Sequence, residues 1–389
     1  MRRAIDLNPS AVNSLYTLGV VLQKTDRLEE ALTEFQRVLE INPLHEEALQ
    51  WAGNLSATLG REEEGRAYYG QYLQLNPANA NVRMKVAYEL AQAGDPLGAM
   101  QFIDVGLELA PDNADLLKQH GGFAFAAGAE AAIGYEDLPP EAMALYRKAL
   151  DSFARVYDLE GAEMDVRQLE NMIAANIRLG DFQAAVTLAE QVLKTHSDEA
   201  SIWSYYGDAL WRVGLVDEAI AALDLVAELE PEYPNVGVRQ GRWLLEDDRV
   251  EDAIPVLQSA VARGEQTADE VCNLVFNSAV QKGIQREDWV YATKVMRLAK
   301  GFEITDDMQQ KVNFFLGYSI LKEAIALHEP QTKQSAQATL PMFQEARGLL
   351  QTASGYAQKD GKRENDRLTL LDNIKTFIEI QEAIIKRGW

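Results

Sequence analysis

Four histidines, one cysteine and several runs of carboxylates are the groups with which this chain could do chemistry. A hydrolytic metal site would need paired ligands at helical spacing. His45, His120, His196 and His328 are scattered, and none has a second His three or four residues away. His120 stands just before Gly121, in the slot that Leu18 holds before Gly19, so it reads as a buried, hydrogen-bonded ring. Cys272 has no nearby His to activate it and reads as a plain thiol. A single Cys excludes an intramolecular disulfide, a CxxC redox pair and a zinc site of several thiolates. It leaves the compartment open between reducing and oxidising. The runs Glu62-Glu63-Glu64 and Glu246-Asp247-Asp248 fall at breaks between helical stretches, where carboxylates act as solvated caps. Gly121-Gly122 sits inside a helical pattern and reads as a packing slot, not a phosphate loop. GxSxG, GxxxxGK[ST], HExxH and GxGxxG are all absent. The expectation is a chain without catalytic residues, cofactor or metal.

Charge narrows the partners. With 37 Lys+Arg against 60 Asp+Glu, the net charge is −23. A protein held by phosphates presents a basic face, so nucleic acid and anionic membrane surfaces are disfavoured. At 47% hydrophobic residues the composition is that of a folded chain. No apolar run approaches the roughly 18–20 residues needed to span a bilayer.

The elements that must position any functional residue come from a repeat. Pro9, Pro43, Pro77 and Pro111 stand 34 residues apart, as do Ser197 and Pro231. Gly19, Gly53, Ala87 and Gly121 keep the same interval, and so do Gly207, Gly241 and Val275. A third series of small residues, Ala31, Gly65, Ala99, Ala142, Ala185, Ala219, Ala253 and Ala292, drifts with the other two. Each unit reads as two helices. Leu15, Leu18, Gly19 and Leu22 mark one apolar face, and Ala31, Phe35 and Val38 mark the next. Gly60, Gly94, Gly180 and Gly214 stand where a first helix should end in a left-handed residue. Gly19 and Ala31 leave room for close approach, and Phe35 fills the gap beside them.

This pattern resembles the tetratricopeptide repeat. The family's signature positions are occupied by Leu15, Leu18-Gly19, Leu22, Ala31, Phe35, Val38 and Pro43, and later by Trp203, Tyr206-Gly207, Leu210, Ala219, Leu223, Val226 and Pro231. The resemblance implies an all-α fold, a right-handed superhelical solenoid of antiparallel helix pairs with a C-terminal capping helix. Nine repeats start near Val12, Glu46, Ala80, Ala114, Val166, Ala200, Pro234, Ala268 and Gln310. Residues 1–11 read as the tail of an incomplete repeat, so a targeting segment could be missing and the compartment could be cytoplasm or periplasm. Residues 12–128 are regular repeats, 129–165 an enlarged second half of the fourth, 166–358 later repeats with inserts, and 359–389 the cap. Extra length is expected within Ala129–Glu141 and in a longer helix around Leu150–Asp158. A polar insert, Glu329–Pro341, is expected between the helices of the ninth repeat. The closing helix should run from about Glu364 to Lys386 on a stripe of Leu371, Ile374, Phe377, Ile378 and Ile385. Because each repeat touches only its neighbours, an elongated monomer is expected.

The resemblance also implies where binding occurs: in a concave groove lined by the first helices. Applied to this sequence, the family's contact register selects Tyr16, Asn54, Met84, Tyr88, Phe125, Arg178, Tyr205, Trp211, Arg212, Arg239, Arg242 and Phe276. Lys118, Gln119, Asn171, Asn273, Phe314, Phe315, Tyr318 and Lys322 fall in the same register. Rings supply area and amides pair with backbone, a mix suited to an extended peptide. The four arginines suit an acidic segment or a free C-terminal carboxylate. Equally, the rings could be inter-helix packing and the arginines could pair with neighbours such as Asp208. The carboxylate clamp of chaperone-binding members is not reproduced, since Tyr16 and Val20 replace its Lys and Asn. The reading is a non-catalytic scaffold for a protein or peptide partner. The alternative is the repeat arm of a larger enzyme or of a secretion or assembly complex.

Overall fold

A computed structural model describes residues 12–161, 164–329 and 332–387. The expected incomplete repeat at 1–11 lies outside the described residues. Every regular element among the described residues is a helix, and the helices come in antiparallel pairs. The first helices are α1 Val12–Lys24, α3 Glu46–Thr58, α5 Ala80–Gln92, α7 Ala114–Ala131, α9 Val166–Leu179 and α11 Ala200–Arg212. α1, α3, α5, α7 and α9 pair with α2 Leu28–Ile41, α4 Glu62–Leu75, α6 Pro96–Leu109, α8 Pro140–Glu160 and α10 Phe182–Val192, and α11 is followed along the chain by α12 Val216–Leu229. Three further pairs follow: α13 Val236–Glu246 with α14 Val250–Ala262, α15 Ala268–Ser278 with α16 Trp289–Ala299, and α17 Asp306–Leu327 with α18 Lys333–Thr352. A single turn, α19 Ser354–Ala357, leads to the last helix, α20 Gly361–Arg387.

Local chemistry explains the ends. Asn79, Asn113 and Thr305 each accept a hydrogen bond from a backbone N–H in the first turn of the helix they precede. Thr267 and Glu270 form a reciprocal capping box at α15. The left-handed turn residue recurs with the period. Gly60, Gly94, Gly180 and Gly214 hold it as expected, and Asp26 and Asp248 take the same slot in the first and seventh pairs, with φ of 59° and 62°. Asp tolerates that conformation better than most side chains.

The small-residue slots have the packing reason given for them. A Cβ on Gly19 would lie 2.9 Å from the Phe35 ring, and one on Gly121 would lie 2.6 Å from the Phe153 ring. Both rings are wholly buried. The helices of a pair therefore approach to a distance only glycine permits at those points.

The chain forms two compact units, divided between Val213 and Gly214. The period does not mark this division, which separates α11 from α12. At the start of unit 1 the core is local. One cluster gathers Leu15, Phe35, Val38 and Leu55, and another Leu49, Tyr69, Tyr72 and Val86. In unit 2 a single cluster runs from Leu244 to Ile378, taking in Val275, Met296, Leu316, Phe343 and Ile374.

Irregular spacings resolve as follows. The enlarged fourth pair has an 18-residue first helix and a 21-residue second helix, α8, which includes the stretch expected to be long. In the eighth pair, α15 continues into a π turn at Ala279–Gly283 and a 3₁₀ turn at Ile284–Arg286. This absorbs the longer step between Ala253 and Ala292. The expected polar insert is corrected: from Lys333 onward it is helix, and Pro341 lies inside α18. Ser335, Ala336 and Thr339 are buried there while Pro341 is exposed. Burial of one face outweighs the missing proline donor. The last helix packs chiefly along α18, with Ile374 and Ile378 buried and Phe377 stacked on Phe343 at 4.9 Å. Arg367, also buried, bonds both oxygens of Glu364 and the Leu350 carbonyl.

Candidate binding clefts

In unit 1 the first helices of consecutive pairs lie side by side, α5 against α7 and α7 against α9. Together they line a cleft of about 640 Å³. Its lining includes Lys118, Gln119, Gly122, Phe125 and Ala126 of α7 and Asn171 of α9. Four residues of the expected register (Lys118, Gln119, Phe125 and Asn171) are thus brought together. Sequence reasoning missed Gly122 and Gln168. Gly122 had a signal, for it is the residue just after the packing glycine, one of the register's contact slots. The two glycines of the pair differ completely. Gly121 is pressed against Phe153, whereas a Cβ on Gly122 would have nothing within 4 Å.

Polar groups around this cleft are partly committed. Lys118 pairs with Glu160 at 2.7 Å. Gln168 has a buried amide oxygen with no hydrogen-bond partner. The Phe125 ring meets Tyr146 edge-on at 5.3 Å. Burial raises the Tyr146 phenol pKa, with Arg178 opposing the shift.

The other expected residues are distributed as follows. Tyr16 is half-buried, stacked on His45 and edge-on to Phe35. The Asn54 amide oxygen accepts hydrogen bonds from the Tyr69 hydroxyl at 2.8 Å and from Lys85. Met84 is half-buried, and Tyr88 is exposed at 57%. Arg178 and Arg212 belong to unit 1 and are exposed, with the Arg212 guanidinium 5.7 Å from the Phe182 ring. Tyr205 and Trp211 are half-buried on α11. In unit 2, Arg239 stacks over Trp243 at 5.4 Å. Arg242 is exposed and lines a small cleft with Asn277 and Lys282. Lys282 itself bonds the Leu245 and Glu246 carbonyls and Asp248, closing the end of α13. Phe276 is only 5% exposed and packs in the core, edge-on to Phe315, with the Lys311 ammonium 4.2 Å from its ring centre.

Two of the groups weighed for chemistry, His120 and Cys272, are buried. His120 is buried, with Nδ1 2.7 Å from the Ser152 hydroxyl and Nε2 2.9 Å from Asp104. Burial lowers its pKa; Asp104 counters this only in part, and Lys148 and Arg155 add to the lowering. Burial pushes the Cys272 thiol up to about 12. No group of three or more potential metal ligands occurs among the described residues, and no described helix is long and apolar enough to cross a membrane.

Family profiles of the tetratricopeptide repeat match residues 12–45, 46–79 and 175–235. These matches carry the same register as the packing glycines and the paired helices. The chain is a tetratricopeptide-repeat protein. Its repeats make it a protein-interaction scaffold. Among solved structures it is similar to a tetratricopeptide repeat protein from Parabacteroides merdae, at 16% identity and a TM-score of 0.42, over 68% of this chain and 96% of that one. It is also similar to MamA, at 17% identity and 0.40, over 48% and 92%, and to YrrB, at 16% and 0.40, over 50% and 91%. No curated protein matches the sequence.

Proposed function

We propose that this tetratricopeptide-repeat protein is a non-catalytic scaffold that holds a segment of a partner protein on the first-helix face of unit 1, in the cleft over Gly122. The observation that carries this reading is an unpacked glycine in mid-helix. Glycine there costs roughly 0.5–1 kcal/mol relative to alanine, and no neighbouring side chain uses the space it leaves. A partner backbone approaching α7 would use it. Gln119, Gln168 and Asn171 supply donors and acceptors for an extended peptide, and Phe125 supplies a ring. Acidic groups or a free C-terminus on the partner would be met within unit 1 by the exposed Arg178 and Arg212. In a protein of net charge −23 such positions attract carboxylates that the rest of the surface repels.

Selection of a random dodecapeptide library displayed on phage tests the reading. A photoreactive residue placed at Ala126, exposed in the cleft, should cross-link the selected peptides. The same residue at Arg147, exposed on α8, should not. Equal labelling from both positions would contradict the proposal.

A further inference from the structure

Unit 2 contains a second cleft, of about 410 Å³, lined by Phe314, Phe315 and Tyr318 of α17 and by Asp366, Thr369 and Leu370 of α20. Three rings and a leucine make its walls, so an apolar side chain gains area there. Asp366 and Thr369 put oxygen acceptors on one wall. An occupant with an N–H or O–H on its ring, an indole or a phenol, therefore fits better than a plain phenyl.

The charges nearby select the rest of the occupant. The Lys322 ammonium stands 5.6 Å from the Tyr318 ring centre and 5.8 Å from that of Trp289. Behind the cleft, Lys311 stands over Phe276, whose ring meets Phe315, and donates to the Asn273 amide oxygen at 2.8 Å. Neither lysine has a carboxylate partner among the described residues. Burial also lowers the Lys311 pKa. A desolvated or ring-bound ammonium without a counter-ion favours an anion brought by a ligand.

We infer that α20 does more than close the array: with α17 it forms a binding site for a partner segment bearing a tryptophan or tyrosine flanked by carboxylates. The inference rests on the scaffold reading of the repeats but not on the Gly122 cleft, which lies in the other unit. The ring enters between Phe315 and Leu370, its polar atom donates to Asp366, and the flanking carboxylate reaches Lys322.

The test uses the full chain and the displayed random dodecapeptide library. Clones selected on wild type are rescreened on Thr369→Trp, which fills the cleft from an exposed helix position, and on Lys322→Glu, which reverses the rim charge. Unfolding midpoints of both variants are measured alongside. A class of clones should lose about tenfold or more in affinity on each variant, and should carry an aromatic residue within three positions of Asp or Glu. The inference is overturned if no clone binds wild type, if clones bind both variants as they bind wild type, or if the clones lost on Thr369→Trp lack aromatic or acidic residues. Clones lost on Gly122→Leu but retained on Thr369→Trp would overturn this site and leave the first cleft standing.

Discussion

At the N-terminal end of unit 1 the core falls into small clusters, each closed by one or two helix pairs, whereas in unit 2 one cluster runs from Leu244 to Ile378. The regular 34-residue pairs at that N-terminal end present the same faces to each neighbour, so burial among them is settled locally. In unit 2 the pairs are unequal. The 22-residue α17, the 20-residue α18 and the 27-residue α20 overlap over several turns and join side chains far apart in sequence. The difference leads us to expect two kinds of cooperativity in one chain: nearest-neighbour stability where repeats are regular, and a single block where helices of unequal length overlap.

The largest expected effect separates the two units. Ending the chain after Asp360 removes α20 and uncovers Phe343 and Leu350. Loss of Ile374 and Ile378 alone forfeits about 3–6 kcal/mol of burial. Unit 2 should lose protection from hydrogen exchange throughout, while unit 1 keeps it. Retained protection from Leu244 to Leu350 would mean that the block does not need its cap.

Two buried phenylalanines sharpen the contrast. Phe35→Ala and Phe343→Ala should each cost about 3–5 kcal/mol. Exchange should rise only around α1 to α3 in the first case and across the whole Leu244–Ile378 block in the second. Equally local effects would erase the distinction.

The paired glycines give a smaller effect of opposite sign. Gly121→Ala forces a methyl group into the Phe153 ring and should destabilise by roughly 1–3 kcal/mol. Gly122→Ala meets nothing and should stabilise by about 0.5–1 kcal/mol. Denaturant midpoints of the two variants should fall on opposite sides of wild type.

A last, pH-dependent effect belongs to unit 1. The His120 pKa is lowered in the fold, so the unfolded chain binds the proton more readily. The stability this contributes is present above about 6.5 and is lost as pH falls below it. His120→Leu should weaken the acid dependence between pH 7 and pH 5. An unchanged dependence would show that other groups set it.

Much of this was legible in the sequence because the period is. Three series of residues at 34-residue intervals place the helices, and Gly19 with Phe35 fixes how a pair closes. What escaped depends on neighbours far along the chain. Phe276 stands in a contact slot, but whether its ring is open is decided by Phe315 and Lys311, nearly forty residues later. Pro341 reads as an interruption until Ser335, Ala336 and Thr339 are seen to be buried beside it. The apolar stripe of α20 was visible, but its other wall, Asp366, Thr369 and Leu370, acquires meaning only once α17 lies opposite.

The central claim is that the space over Gly122 belongs to a partner. Calorimetric titration of a library-selected peptide into wild type and Gly122→Leu tests it most directly, since Gly122 lines the cleft and a Cβ there meets nothing within 4 Å. The account predicts at least a tenfold loss of affinity, about 1.4 kcal/mol, with no fall in the unfolding midpoint. Undiminished binding by Gly122→Leu would contradict it.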